Sequence, residues 1–218
     1  MDRTKQVSGC WQQLLKQHRA IAIIRSPNLS QGLAMAKAVA AGGMSLIEIA
    51  WNSREPEILI DRLRSELPDC QIGAGTILDR EDLEGAISHG AQFLFSPHLN
   101  FELIQIAVKS YQIPFVAGAL SPTEIVTAWQ AGASGVKVFP VAAVGGINYI
   151  KQLHQPLDRI PLIPTGGVTI DNAREYIQAG AIAVGISTQL FPPQLLAEEN
   201  WPEIAARVRI LMHSLNIQ

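Results

Sequence analysis

The chain has 218 residues, of which 48% are hydrophobic and 17% are charged, so a large buried core is expected and long disordered segments are excluded. The formal net charge of −2 gives no electrostatic basis for nucleic-acid binding, because proteins that bind nucleic acids present a basic surface. The 2 cysteines cannot form a disulfide framework, residues 1–9 lack the apolar segment of a signal peptide, and no apolar run approaches the roughly 18 residues of a membrane span. We therefore expect a cytoplasmic protein with neither a nucleic-acid nor a membrane partner.

Short apolar runs alternate with helical patterns along the chain, after an opening helix predicted for residues 5–18. The helical patterns have apolar residues three and four apart and close on glycine, the usual helix stop. The apolar runs recur at roughly 20 to 25 residues, as repeated strand–helix units do. The predicted strands are IAIIR (21–25), LIEIA (46–50), QIGAGT (71–76), AQFLFSP (91–97), PFVAGA (114–119), GVKVFP (135–140), IPLIPTGG (160–167) and AIAVGIS (181–187).

The organisation of these units predicts the fold. No linker, charge block or low-complexity segment divides the chain, so we predict one domain over residues 1–218, with residues 1–19 as an extra N-terminal helix packed on it. Ser121 followed by Glu124 predicts a capping box at the start of one helix. Eight parallel strands with helices between them predict an α/β fold, a single (β/α)8 TIM barrel; an open doubly wound sheet is the alternative.

Only three charged residues fall within the predicted strands: Arg25, Glu48 and Lys137. Alternate residues of a barrel strand face the lumen, so the β-branched neighbours of Glu48 and Lys137 would pack on helices and both charges would point inward. Both faces of the first strand are apolar, which leaves the orientation of Arg25 open. With Thr76, these residues lie at or near the C-terminal strand ends, where such barrels carry their active sites.

An inward lysine and an inward glutamate offset the cost of burying each other, either as a structural ion pair or as a catalytic pair. Desolvation disfavours the charged form of an amine, and a neutral amine can attack a carbonyl group to form a Schiff base while a carboxylate moves protons for it. Buried ion pairs often stabilise poorly and perturbed groups cluster at functional sites, so the pattern favours catalysis. A lysine that reaches solvent from the strand end is the remaining alternative.

The loops at the seventh and eighth strands are rich in glycine. Glycine lets backbone N–H groups approach an anion, and a helix predicted to open at residues 169–172 would add a favourable dipole. These loops are the usual phosphate site of such barrels, although a glycine pair is also ordinary turn chemistry. We therefore predict a site for phosphate or a similar anion, with Ser187 as the best side-chain donor. The predicted phosphate-binding residues are Thr165, Gly166, Gly167, Gly185 and Ser187.

The histidines give no metal-binding pattern, because their spacing is not that of a ligand set. His98 follows Pro97 at a predicted strand end and is either a loop histidine or a substrate contact. We expect neither a metal nor a cofactor. The histidines are His18, His89, His98, His154 and His213.

Six motifs lie in register along nearly the whole chain: IIRS (23–26), GGMSLIEIA (42–50), GAGTIL (73–78), SPHL (96–99), GVKVFP (135–140) and PTGGV (164–168). In this order they resemble the class I aldolases that cleave 2-keto-3-deoxy-6-phosphogluconate and 4-hydroxy-2-oxoglutarate. The resemblance implies a lyase of carbohydrate metabolism in the Entner–Doudoroff pathway, a homotrimer that needs no cofactor. Its substrate would be a small 2-oxo acid, phosphorylated in the first case. The products would be pyruvate with glyceraldehyde 3-phosphate or with glyoxylate.

The resemblance also implies roles for single residues. Lys137 would form the Schiff base with the 2-oxo acid, and Glu48 would act as general acid and base through water. Thr76 would hold the carboxylate of the substrate, and Pro97 and Phe139 would line the apolar side of the pocket.

The chain departs from the family at one point. Many members carry an arginine in a threonine-leucine-arginine-threonine context after the strand-two glutamate, whereas this chain reads AWNS at residues 50–53 and has Arg54 next. Arg25, which matches the arginine of the strand-one motif, could instead bind the carboxylate or the phosphate of the substrate. Three alternatives stay open: an aldolase for the galactonate epimer, another phosphate-binding barrel such as an epimerase or a synthase of the thiamine or tryptophan pathways, and a non-catalytic sugar-phosphate-binding barrel.

Overall fold

The structure, a computed structural model, describes residues 3–216, so the outermost parts of the predicted domain at residues 1–2 and 217–218 lie outside it. Eight parallel strands form one sheet in which each strand pairs with its neighbours in chain order and the first also pairs with the last. A bridge between Thr165 and Gly185 joins the two remaining edges. This nearly closed barrel confirms the predicted TIM-barrel fold and rules out the alternative, an open doubly wound sheet. The strands are β1 (Ala20–Ile24), β2 (Leu46–Ala50), β3 (Gln71–Gly75), β4 (Leu94–Phe95), β5 (Phe115–Ala119), β6 (Gly135–Val138), β7 (Leu162–Pro164) and β8 (Val184–Ile186).

Helices precede the first strand, connect the strands and follow the last one. A π-helical turn, Ile106–Ser110, continues the fifth helix, and a 3-10 turn, Val141–Val144, precedes the seventh. Within residues 3–216, no helix combines the length and the apolar character needed to cross a membrane. The helices are α1 (Arg3–His18), α2 (Leu29–Ala41), α3 (Pro56–Glu66), α4 (Arg80–Ser88), α5 (Phe101–Gln105), α6 (Pro122–Gln130), α7 (Gly146–His154), α8 (Ala173–Gln178), α9 (Pro193–Ala197) and α10 (Trp201–Asn216).

Most strands are shorter than the apolar runs that predicted them. β2 has the predicted bounds, but β4 keeps only Leu94 and Phe95 of the run at 91–97, and β7 and β8 are trimmed at both ends. The runs were too long because apolar residues beside a strand are buried whether or not they join the ladder: Phe93, outside β4, is fully buried in the lumen.

The start of α6 confirms the predicted capping box. The backbone N–H of Glu124 donates to the Ser121 hydroxyl over 3.3 Å, and the backbone N–H of Ser121 donates to the Glu124 carboxylate over 2.7 Å. The backbone N–H groups of Ser121 and Leu120, which both donate to the Glu124 carboxylate, hold the pKa of that carboxyl below its usual value. The reciprocal bonds satisfy two donors that a helix start leaves unpaired.

The core has two layers. The larger lies between the strands and the surrounding helices, and the smaller fills the lumen of the barrel. Trp11 and Leu15, one helical turn apart on α1, belong to the lumen layer together with residues at the starts of the strands, such as Leu46. Trp11 packs on Phe93 with ring centroids 4.8 Å apart. The predicted N-terminal helix therefore closes the N-terminal end of the barrel, which leaves the opposite end for a site.

Candidate active site

A cavity of about 300 Å³ opens where the C-terminal strand ends meet, and every residue predicted for the site lines it. Three further lining residues had no predicted role: Ile23, Val168 and Thr188. Ile23 and Val168 lie inside the motifs IIRS and PTGGV, and Thr188 follows Ser187, so the motifs carried a signal for two of the three.

Glu48 on β2 and Lys137 on β6 face each other from opposite walls of the barrel. The Lys137 Nζ atom lies 3.7 Å from Glu48 Oε1, and the two side chains are only 7% and 1% exposed. Both point into the lumen because their neighbours on the strand pack against the helices. These neighbours are Ile47, Ile49, Val136 and Val138.

The electrostatics of Glu48 are set chiefly by its burial. Desolvation raises the pKa of the Glu48 carboxyl, while the ammonium of Lys137, and more weakly the guanidinium of Arg25, pull it down. Apart from the Lys137 contact, neither carboxylate oxygen has a hydrogen-bond partner within the described part of the chain. A carboxyl group with a raised pKa and free oxygens is suited both to accept and to return a proton.

Two aromatic rings surround the amine of Lys137. Its Nζ atom lies 5.6 Å from the ring centroid of Phe95 and 5.5 Å from that of Phe139. Phe139 is 38% exposed at the mouth of the cavity, whereas Phe95, which had no predicted role, is buried below the amine. A ring face attracts a cation, and the rings also keep water away from the nitrogen.

The end of β3 is shaped to fit Glu48. A Cβ atom on Gly75 would lie 1.8 Å from Glu48 Oε1, so only glycine leaves room for the carboxyl group there. Thr76, just past the strand, has a φ of 62°. This left-handed conformation costs of order 1–3 kcal/mol for a non-glycine residue and concentrates at functional sites. The strained turn keeps Thr76 on the cavity wall.

The glycine loops lie together at the other side of the cavity. Gly166 and Gly167 have φ values of 82° and 99°, which favour glycine, and a Cβ atom on Gly185 would lie 2.4 Å from Thr165 Oγ1. Such loops bring backbone N–H groups close to an anion.

The structure adds two details at these loops. Residues 169–172 form a turn in which Thr169 and Asn172 bond each other, and α8 starts only at Ala173 and has 6 residues, so it adds little dipole. The Ser187 hydroxyl already donates to the carbonyl of Ile23 over 2.9 Å, so its proton is engaged with the backbone.

Arg25 lies one residue past β1 and lines the cavity, which settles its orientation. Its Nε atom donates to Asn52 Oδ1 over 3.0 Å. Asn52 had no predicted role beyond marking the departure from the family pattern. Among the residues that line the cavity, only Arg25, Glu48 and Lys137 carry charge.

His98 lies outside the cavity lining, and its Nδ1 atom is 3.0 Å from the Ser96 hydroxyl. In the described residues, no group of three histidine, cysteine, aspartate or glutamate side chains is placed to hold a metal ion. The chemistry available in the cavity is that of an amine, a carboxyl group and a guanidinium.

Comparison with known proteins finds similarity to aldolases. A family model described as "Aldolase: KDPG and KHG aldolase" matches residues 11–207. The 2-dehydro-3-deoxy-phosphogluconate aldolase of Haemophilus influenzae is 32% identical over 195 residues, 89% of this chain and 92% of that protein. The 2-dehydro-3-deoxy-6-phosphogalactonate aldolase of Escherichia coli is 34% identical over 191 residues, 87% of this chain and 92% of that protein. A crystal structure of the KDPG aldolase of Legionella pneumophila, with pyruvate captured as a covalent carbinolamine, superposes with a TM-score of 0.84 at 27% identity, over 92% of this chain and 97% of that one.

Proposed function

The chain belongs to the KDPG and KHG aldolase family, and from this membership we propose that it is a class I aldolase, a lyase that works through a lysine Schiff base. It cleaves 2-keto-3-deoxy-6-phosphogluconate (KDPG) to pyruvate and glyceraldehyde 3-phosphate, and 4-hydroxy-2-oxoglutarate to pyruvate and glyoxylate. The observation that carries the proposal is the buried pair at the C-terminal strand ends, with Lys137 Nζ 3.7 Å from Glu48 Oε1.

The reaction follows from the chemistry of this pair. Glu48, directly or through water, first accepts a proton from Lys137, and the neutral amine attacks the ketone carbon of the 2-oxo acid. A nitrogen proton moves to the carbonyl oxygen to give a carbinolamine, and Glu48 returns its proton to the hydroxyl group, which leaves as water. The resulting iminium ion accepts the electron pair of the C3–C4 bond while the ionised Glu48 takes the proton of the C4 hydroxyl, so the aldehyde is released and an enamine remains. Glu48 then protonates C3, and hydrolysis of the imine releases pyruvate and the free amine.

The remaining residues hold the substrate around this centre. Thr76 follows β3, which pairs with the strand of Glu48, and Arg25 bonds Asn52 just past that strand, so both suit a carboxylate. The loops with Gly166 and Gly167 suit the phosphate. Phe139, with Pro97, supplies the apolar wall that limits the access of water.

A second candidate substrate is the galactonate epimer of KDPG, which has the opposite configuration at C4. The E. coli relative that shares 34% of its residues with this chain is named for that substrate. Both epimers would give the same two products through the same imine. Values of kcat/KM for the two phosphorylated acids and for hydroxyoxoglutarate, measured side by side, rank the three.

The whole protein is proposed to be one domain that assembles as a homotrimer in the cytoplasm. The continuous barrel sheet supports the single domain, and the family resemblance supports the trimer. Neither the number of domains nor the assembly alters the chemistry proposed for the cavity described above.

Borohydride trapping tests the proposed chemistry. Wild-type protein incubated with pyruvate and sodium borohydride should gain the mass of one reduced pyruvyl group, because borohydride reduces the imine to a stable amine. Lys137→Met should gain none, whereas Lys151→Met, which removes an exposed lysine, should gain the same mass as wild type. If wild type forms no adduct and releases no pyruvate from KDPG, the protein is a binding barrel and the aldolase proposal is rejected.

A further inference from the structure

We propose that Asn52 is a positioning residue: it holds Arg25 on the Glu48 side of the cavity, where the guanidinium binds the carboxylate of the 2-oxo acid and not its phosphate. The inference rests on the proposed aldolase function and deepens it. It assigns one residue that the family motifs do not single out, and it decides between the two anionic ends of the substrate.

The loop after β2 is tied to the end of β1 by three hydrogen bonds. Arg25 Nε donates to Asn52 Oδ1 over 3.0 Å, and the backbone N–H of Ser26 donates to the Ser53 hydroxyl over 3.2 Å. The backbone N–H of Arg54 donates to the Ser26 carbonyl over 3.0 Å. Because the other two bonds fix the two loops to each other, Asn52, although exposed, is held beside the guanidinium.

Arg25 follows β1, which lies between β2 and β8, so its side chain could turn toward either of these strands. β1 pairs with β8, which carries Gly185 of the anion loops, and also with β2, where Ile23 lies in register with Glu48. Asn52 follows β2, so its hydrogen bond draws the guanidinium to the Glu48 side.

The charges of the cavity then decide which end of the substrate Arg25 meets. The carboxylate carbon is bonded to the carbon that Lys137 attacks, so this anion must lie beside Glu48, whereas the phosphate of KDPG is four carbons further on. A second carboxylate next to Glu48 is costly unless a cation accompanies it. Arg25 is the one permanent cation that lines the described cavity, since the charge of Lys137 belongs to the imine.

The neutral amide of Asn52 suits this task. Its side-chain carbonyl oxygen accepts the hydrogen bond from Arg25 Nε. The two terminal nitrogens of the guanidinium can then donate the paired hydrogen bonds that a carboxylate accepts. Because asparagine carries no charge, it orients Arg25 without neutralising it.

The test separates the two anionic ends by using pyruvate, which carries the carboxylate alone, and inorganic phosphate. In borohydride trapping, Asn52→Leu should raise the half-saturating pyruvate concentration roughly 3- to 10-fold and Arg25→Gln roughly 10- to 100-fold, while trapping at saturation stays within about 2-fold of wild type. Inhibition of KDPG cleavage by inorganic phosphate should be unchanged in both variants. Arg54→Gln, an exposed arginine on the same loop, is the matched control and should behave as wild type.

The double variant Arg25→Gln/Asn52→Leu distinguishes positioning from a general structural role. If Asn52 acts through Arg25, the double variant should equal Arg25→Gln within about 2-fold, because the second change has nothing left to disturb. Additive losses, an unchanged pyruvate half-saturation in Asn52→Leu, or weakened phosphate inhibition in Arg25→Gln would each overturn the inference. These results leave the wild-type adduct intact, so they are distinct from a failure of the aldolase proposal, in which wild type forms no adduct at all.

Discussion

At the scale of single residues, burial and not residue type gives Glu48 its proposed role. The protein has other glutamates, but the pKa of the Glu48 carboxyl is raised above its ordinary value chiefly because the side chain is desolvated. Lys137 and Arg25 limit the rise without removing its cause. The group can therefore hold a proton at a pH where exposed carboxyls have lost theirs.

Glu48→Gln should reduce kcat for KDPG cleavage by roughly 10²- to 10⁴-fold, the usual loss for a general acid–base group. Because the proton-accepting form of Glu48 is the ionised one, wild-type kcat/KM should rise with pH through a pKa above that of an ordinary glutamate, and this limb should be absent in the variant. The pH profile of initial rates measures both effects. Glu81→Gln, at an exposed position on α4, is the control. Should inorganic phosphate binding fall as far as turnover, Glu48 would have a structural role instead.

The sequence was informative about this pair but not about the loop conformations beside it. A strand alternates strictly, so Ile47 and Ile49 were enough to predict that Glu48 points inward. The left-handed turn at Thr76 and the bond from Arg25 to Asn52 depend on loop conformations, which no periodicity encodes.

At the scale of elements, the position of the Glu48 carboxyl depends on β3 as much as on β2, the strand that carries Glu48. β3 pairs with β2 along its whole length, so it cannot retreat from a larger side chain. In this register Gly75 lies opposite Ala50, and its Cα atom lies next to the Glu48 carboxyl group on the lumen face of the sheet.

Gly75→Ala should lower kcat at least about 10-fold, because the added methyl group would lie 1.8 Å from Glu48 Oε1 and must displace the carboxyl group from Lys137. The overlap should also cost about 1–3 kcal/mol of unfolding free energy. Ala74→Gly is the matched control: its side chain packs toward the helices, so it should lose stability but keep kcat. Steady-state kinetics and urea unfolding of both variants separate the two effects. Wild-type kcat in Gly75→Ala would show that Glu48 tolerates displacement.

Element identity was predictable but element ends were not. All eight strands were found from apolar runs, yet β4 shrank to two residues, since burial extends beyond the hydrogen-bonded ladder. The helix expected to open at residues 169–172 begins at Ala173, because Thr169 and Asn172 first satisfy each other's backbone N–H groups in a turn.

At the scale of the whole molecule, the barrel is closed at one end and open at the other. α1 fills the N-terminal end of the lumen with Trp11 and Leu15, and the chemistry lies at the opposite end. Trp11 packs on Phe93, and Phe93 meets Phe95 edge-on with centroids 5.8 Å apart. Phe95 in turn lies below the amine of Lys137, so a chain of aromatic contacts connects α1 to the floor of the cavity. Helical spacing predicted the helix, but only the packed barrel shows which of its side chains enter the lumen.

Trp11→Ala should lower the free energy of unfolding by about 3–5 kcal/mol, since Trp11 is only 2% exposed and its loss would leave a cavity beneath this chain of aromatic contacts. Trp11→Phe should cost much less, because it keeps an aromatic ring in the lumen and the indole nitrogen of Trp11 has no hydrogen-bond partner within the described residues to lose. Urea unfolding followed by far-UV circular dichroism measures both variants without relying on tryptophan emission. Equal losses in the two variants would contradict a purely apolar role for Trp11 in the lumen and indicate that the indole N–H is hydrogen-bonded in solution. A loss below about 1 kcal/mol in Trp11→Ala would mean that α1 does not close the barrel, because an exposed ring costs little to remove.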